Sequence, residues 1–201
     1  MEKTQRPPAG IGHNSGAIGA SGRRYAWAKA RKDLVGARIL LEIVRIRVRR
    51  AAALGLSYPQ YASVLLGSGR DIVGFLFTVG GLQLSVSREL STPTHVREKL
   101  HDVPKTARLA LSPADESPDD FRKELGDALS VRIDDAGAEP LDPESWRQAR
   151  VAIHTVLARN GLPADGVVMV GDILQDASWA YAAFLAKFIR TADYFSNGAH
   201  S

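Results

Sequence analysis

Residues 167–176 read Val167-Val168-Met169-Val170-Gly171-Asp172-Ile173-Leu174-Gln175-Asp176. Four consecutive apolar residues that stop at Gly-Asp have the form of a strand buried on both faces, as in a parallel sheet covered by helices. Two carboxylates four residues apart follow the strand, at the edge where open α/β sheets build their sites. Upstream, residues 71–79 (DIVGFLFTV) form a second apolar run rich in Ile, Val and Phe, and residues 107–111 (ARLAL) form a third before Ser112-Pro113. Residues 130–133 (SVRI) offer a fourth, shorter candidate.

Segments with helical spacing lie between these runs. Thr92-Pro93 opens one through Leu100, and Ser117-Pro118 opens another to Leu129, with Asp119 and Asp120 where the helix dipole favours acids. Asp142-Pro143-Glu144 is expected to open a helix with an inner face of Trp146, Ala149, Ile153, Val156 and Leu157, closed by Asn160-Gly161. A last helix is expected from Asp176 to Ile189. The alternation predicts an α/β fold over residues 70–196, a small three-layer sandwich with three or four mainly parallel strands. The acidic stretches 113–120 and 134–144 are expected as solvated connections.

The N-terminal third has a different character. Residues 1–22 are rich in Gly, Pro, Ala and Ser and are read as a disordered leader, since they cannot bury enough apolar surface to offset ordering entropy. Residues 23–69 are expected to form a basic helical hairpin. In its first helix Ala37, Leu40, Leu41, Val44, Val48 and Ala51 or Ala52 recur at three- and four-residue steps, while Arg38, Arg45 and Arg49 share another face. Gly55 stops that helix. Ser57-Tyr58-Pro59-Gln60 is a capping box for the second helix, which Gly67 and Gly69 end.

Charge divides the chain. Residues 1–100 carry 16 Lys/Arg against 6 Asp/Glu, a net of +10; residues 101–201 carry 10 against 16, a net of −6. Such polarity bears on partners rather than on fold. The basic cluster Arg23, Arg24, Lys29, Arg31, Lys32, Arg45, Arg47, Arg49 and Arg50 is therefore the candidate partner-binding surface. Clustered charge of this kind suits an acidic protein surface or the phosphates of a nucleic acid. Reading of DNA sequence fits poorly, because the second helix (YPQYASVLL) offers mainly Gln60 and Ser63 to base edges.

Several chemistries lack their residues. Cysteine is absent, which removes disulfides, thiolate metal sites and cysteine nucleophiles. No apolar run reaches a membrane span of about 18–20 residues, and Lys3 and Arg6 are followed by no apolar core of a secretory signal. A cytoplasmic location is expected. His13, His95, His101, His154 and His200 show no metal-ligand spacing. The Gly-rich stretch 67–71 precedes its strand, whereas phosphate loops follow one. No catalytic elbow or nucleotide-binding fingerprint occurs.

The stretch VVMVGDILQD resembles the acidic metal motif of the haloacid-dehalogenase-like phosphatases. Residues 75–81 (FLFTVGG) have the shape of that family's nucleophile strand, and Ser112 stands where its phosphate-binding Ser or Thr is expected. The resemblance implies Mg²⁺ held by Asp172 and Asp176. The family's strand ends in Asp-x-Asp, however, and here those positions are Thr78 and Gly80, which removes the nucleophile and one metal ligand. The basic residue that precedes the acidic motif is represented only by Arg147 or Arg150. The leader GIGHNSG and the block LGLSYPQYASVLLGSGRDIVGFLF also resemble a group of uncharacterised bacterial proteins with a Gly-Ile-Gly-His-Asn leader, for which the resemblance implies no activity. The chain is accordingly read as a non-catalytic accessory or regulatory protein without a cofactor, which binds an acidic partner through its basic helices. The alternative is a Mg²⁺-dependent haloacid-dehalogenase-like phosphohydrolase with a degenerate nucleophile motif.

Overall fold

A computed structural model describes residues 41–84, 93–103 and 106–196. Five strands, β1 (Gly74–Phe77), β2 (Ala107–Ser112), β3 (Asp135–Ala138), β4 (Val167–Gly171) and β5 (Lys187–Arg190), form one sheet in the order β3-β2-β1-β4-β5. All four pairings are parallel. Strand side chains alternate between faces, so each central strand feeds two cores. Phe75, Phe77, Ala110, Val168 and Val170 enter one core, and Leu76, Leu109, Leu111, Val167 and Met169 enter the other.

Helices cover both faces and make the three layers. On the second face, α5 (Trp146–Arg159) supplies Ala149, Ile153, Val156 and Leu157, and α6 (Leu174–Ala182) supplies Trp179 and Ala180. The first face is covered by the last turn of α1 (Leu41–Ala53) and by α2 (Tyr58–Ser68), α3 (Thr94–Asp102), α4 (Pro118–Leu129) and the short α7 (Thr191–Phe195). A contact division falls between Val44 and Arg45, and everything described from Arg45 onward belongs to one unit. Ala51, Leu54, Tyr61 and Val64 of the α1–α2 hairpin lie in the first core. The predicted capping box is present: Ser57 Oγ accepts from Gln60 N, and Gln60 Oε1 accepts from Ser57 N at 2.9 Å. Gly69 closes α2 in the left-handed conformation, while Gly67 lies within the helix.

The structure revises six expectations. The fourth strand is not residues 130–133. Ser130 is a left-handed cap after α4, and Val131 and Ile133 are buried in the connection. β3 instead arises from the acidic stretch read as a solvated loop. Its small residues are needed there, because a Cβ on Gly137 would lie 3.3 Å from Val156 Cβ of α5. The last helix stops at Ala182, and a turn with Phe184 at φ +54 leads into β5, so no Gly or Pro announces the break. Helix α5 begins at Trp146 with Ser145 as its N-cap, not at Asp142. Helical side chains lean toward the N-terminus, so Trp146 at the first position lies over no preceding turn of the helix and is 79 % exposed. In α1 the expected inner residues Leu41 and Val48 are exposed, and burial begins at Ala51.

Gly81 sits in a single-turn 3-10 helix (Gly80–Leu82) after β1, and a Cβ there would lie 2.1 Å from the carbonyl oxygen of Val170. Gly81→Ala is expected to cost about 2–4 kcal/mol in urea unfolding. Gly67→Ala, with open space around the added methyl, should stabilise by about 0.5–1 kcal/mol.

Candidate functional site

Strand order places the site. From β1 the chain moves outward through β2 and β3, then returns to the other side of β1 with β4 and continues to β5. The reversal lies between β1 and β4, and open α/β sheets bind ligands in the crevice outside the carboxyl ends of such a pair. Thr78 follows β1 there, and Asp172 follows β4. The sequence reading brought Asp172 and Asp176 to this edge, and the structure places them at it.

The two carboxylates behave differently. Asp172 is exposed. Asp176, third residue of α6, is turned inward and is 3 % exposed. Its Oδ2 accepts from Thr78 Oγ1 at 3.0 Å, from Asp172 N at 2.9 Å and from Ile173 N at 3.3 Å. Thr78, 1 % exposed, accepts in turn from Gly81 N at 3.0 Å. A second tie runs from Thr78 N to Val170 O at 3.2 Å. Gly171 makes the tuck possible, since a Cβ on it would lie 2.4 Å from Asp176 Oδ2. The end of β1 and the turn after β4 are thus tied together by the chain's own groups.

This arrangement does not fit the Mg²⁺ that the sequence resemblance implies. Asp176 Oδ2 already accepts from three donors, and the segment after β1 presents Thr78 and Gly80 where the resemblance calls for carboxylates. Among the described residues no three His, Cys, Asp or Glu side chains are grouped to hold a metal ion. A Thr hydroxyl beside a carboxylate has the spacing of a nucleophile and its base, but here both side chains are buried. Ser112, at the end of β2, is fully buried, and its hydroxyl lies near the carbonyls of Glu116 and Gly137 at 3.4 and 3.5 Å.

Glu139 was not found from sequence. It follows β3 directly, and its backbone N–H donates to Ser112 O at 2.9 Å. Burial, and then the Asp176 carboxylate, push its carboxyl up to about 7. Reading β3 at residues 135–138 would have brought Glu139 to the same edge as Asp172, but the composition DAGA carries no strand signal.

The basic cluster divides. Arg23, Arg24, Lys29, Arg31 and Lys32 lie outside the described residues. Arg45 and Arg49 stand one turn apart on exposed positions of α1, and Arg47 is half-buried. Arg50 works within the chain: its Nε donates to Asp71 at 3.0 Å and its Nη2 to Ile72 O at 2.9 Å. Tyr61 donates to the other Asp71 oxygen at 3.0 Å, and burial followed by that hydrogen bond pushes its phenol up to about 12. Arg50 therefore fixes α1 to the segment that leads into β1.

No protein-family model matches the chain, and no curated protein matches it. Among solved structures, a hypothetical protein of Xanthomonas campestris is similar at 18 % identity and a TM-score of 0.39, over 64 % of this chain and 68 % of its own. Among the described residues no helix is long and apolar enough to cross a membrane.

Asp176→Ala would leave the Thr78 hydroxyl and two amides without their acceptor, and should cost about 3 kcal/mol in chemical denaturation. Glu139 gives a pH signature. Its folded carboxyl keeps a proton that the unfolded chain releases above about 4.5, so its charging works against the fold as pH rises from there to about 7. Glu139→Gln should raise the Tm by roughly 2–4 °C at pH 8, with the gap closing toward pH 4.5 in thermal scans.

Proposed function

We propose that the protein is a non-catalytic accessory or regulatory protein of the cytoplasm that binds an acidic partner, protein or nucleic acid, through its basic N-terminal helices. One observation carries the reading: the Thr78–Asp176 hydrogen bond, which occupies the switch-point crevice where an enzyme on this sheet would hold substrate. On this reading the scaffold is a degenerate haloacid-dehalogenase-like domain. Its support is the central position of β1, with Ser112 at the end of β2 and Asp172 and Asp176 at the end of β4. The acid-for-threonine exchange at position 78 accounts for the closure. A carboxylate at 78 would face Asp176 across 3 Å and repel it, whereas the hydroxyl donates to it.

The binding half of the proposal rests on charge. The net of +10 in residues 1–100 includes Arg45, Arg47 and Arg49 on a helix that also exposes Leu41, Ile43, Ile46 and Val48. A helix with guanidinium groups among uncovered apolar side chains presents both charge and contact area, a combination common at interfaces. Arginine suits either partner class, since its planar fork pairs with carboxylate and phosphate alike.

The test is fluorescence anisotropy of labelled DNA, RNA and a polyglutamate peptide with the full chain across a salt series. Binding to one of these is expected at about 50 mM salt and should weaken at least tenfold by about 200 mM. The triple substitution Arg45→Ala, Arg47→Ala, Arg49→Ala should weaken it about tenfold at the lower salt and flatten the salt slope. Binding that ignores salt and the triple substitution would overturn the proposal.

A further inference from the structure

A second surface lies away from the basic helix and is built differently. Helices α5 and α6 flank an open groove of about 890 Å³. On α5, Trp146 and Arg150 are one turn apart. On α6, Leu174 and Tyr181 are two turns apart on one face. Phe184, just past α6, completes the lining. Trp146, Leu174, Tyr181 and Phe184 are 79 %, 80 %, 85 % and 63 % exposed. Solitary exposed apolar residues need no explanation, but four that converge on one trough do.

Two further observations point to use. Phe184 has φ +54, a conformation that costs a bulky residue of order 1 kcal/mol or more and that Gly or Asn would adopt freely. The ring held there is exposed, and the Arg150 guanidinium lies 4.9 Å above it. The lining also includes Arg147, so it holds two cations and no carboxylate. Aromatic and Arg side chains around a desolvatable trough are the composition of interaction hot spots.

We infer that this groove takes an acidic amphipathic helix of a partner protein. The two helical ridges leave space between them for a third, which is the geometry of helix-in-groove recognition. Charge selects the occupant. The chain's own residues 1–40 carry eight Lys/Arg against Glu2 and Asp33, and the exposed face of α1 carries Arg45 and Arg49, so both are repelled by Arg147 and Arg150. A second copy could offer its acidic helix α4, but Phe121, Leu125 and Leu129 are already buried there and leave no apolar ridge. A foreign helix with apolar residues on one face and Glu or Asp beside them satisfies both features of the groove.

The test uses the full chain and two labelled 16-residue helical peptides that share one Leu/Phe face and differ only in flanking Glu or Lys. In anisotropy titrations the Glu peptide should bind about tenfold or more tightly than the Lys peptide. Arg150→Glu and Tyr181→Ala should each weaken the Glu peptide at least about tenfold. Phe184→Asn gives the discriminating readout: the affinity falls while the Tm holds or rises, because the backbone strain is relieved. Equal binding of the two peptides, no binding, or binding indifferent to the three groove substitutions would overturn the inference. So would a concentration-dependent dimer that Tyr181→Ala dissociates, since a second copy would then be the occupant. The outcome is separable from that at the basic helix, whose partners are scored by the response to substitutions in α1.

Discussion

One buried carboxylate organises the carboxyl edge of the sheet. Asp176 accepts from the Thr78 hydroxyl and from two backbone amides of the turn after β4. That single oxygen joins the end of the central strand to the start of α6 and fixes the turn between them. The glycines around it follow from the same constraint: Gly171 clears the carboxylate, and Gly81 clears Val170 O. A buried carboxylate with fewer donors would be a large penalty, so Thr78 with the Gly80–Leu82 turn and the turn after β4 have little freedom to rearrange separately.

This constraint also bears on the two functional readings. Enzymes on doubly wound sheets need the switch-point crevice open, with groups aimed into it. Here Thr78 and Asp176 face each other at that point, while Asp172 is exposed beside them and Glu139 lies on the same edge. Arg50 and Asp71 dock α1. Arg159 grips Asp135 and Ala136 O at the edge strand. Two groups of exposed side chains stand out among the described residues, arginines on α1 and aromatics beside arginine at the α5–α6 groove. On the proposed reading both serve recognition, and they lie on separate helices.

Much of the architecture was legible in the residues, for identifiable reasons. β1, β2 and β4 are buried on both faces and so read as apolar runs, and α2, α4 and most of α5 carry caps or a clear inner stripe. β3 and β5 were missed. The first is built from Asp-Ala-Gly-Ala because α5 lies close above it. The second follows a turn made by Phe184 rather than by glycine. Exposure of Trp146, Leu41 and Val48 was also hidden, since apolar periodicity shows that a helix has a face but not that the face is covered. Asp172 and Asp176 were correctly brought to the sheet edge by the motif. Their division of labour was not readable, because the partner of Asp176 lies 98 residues away.

The most direct measurement is turnover of a panel of phosphate esters with and without Mg²⁺, by the full chain and by Asp172→Asn. A closed, non-catalytic edge predicts no hydrolysis above background in either protein and no effect of the metal. Mg²⁺-dependent turnover by the full chain that Asp172→Asn abolishes would contradict the account. It would mean that the Thr78–Asp176 stitch opens and that the edge works as an active site.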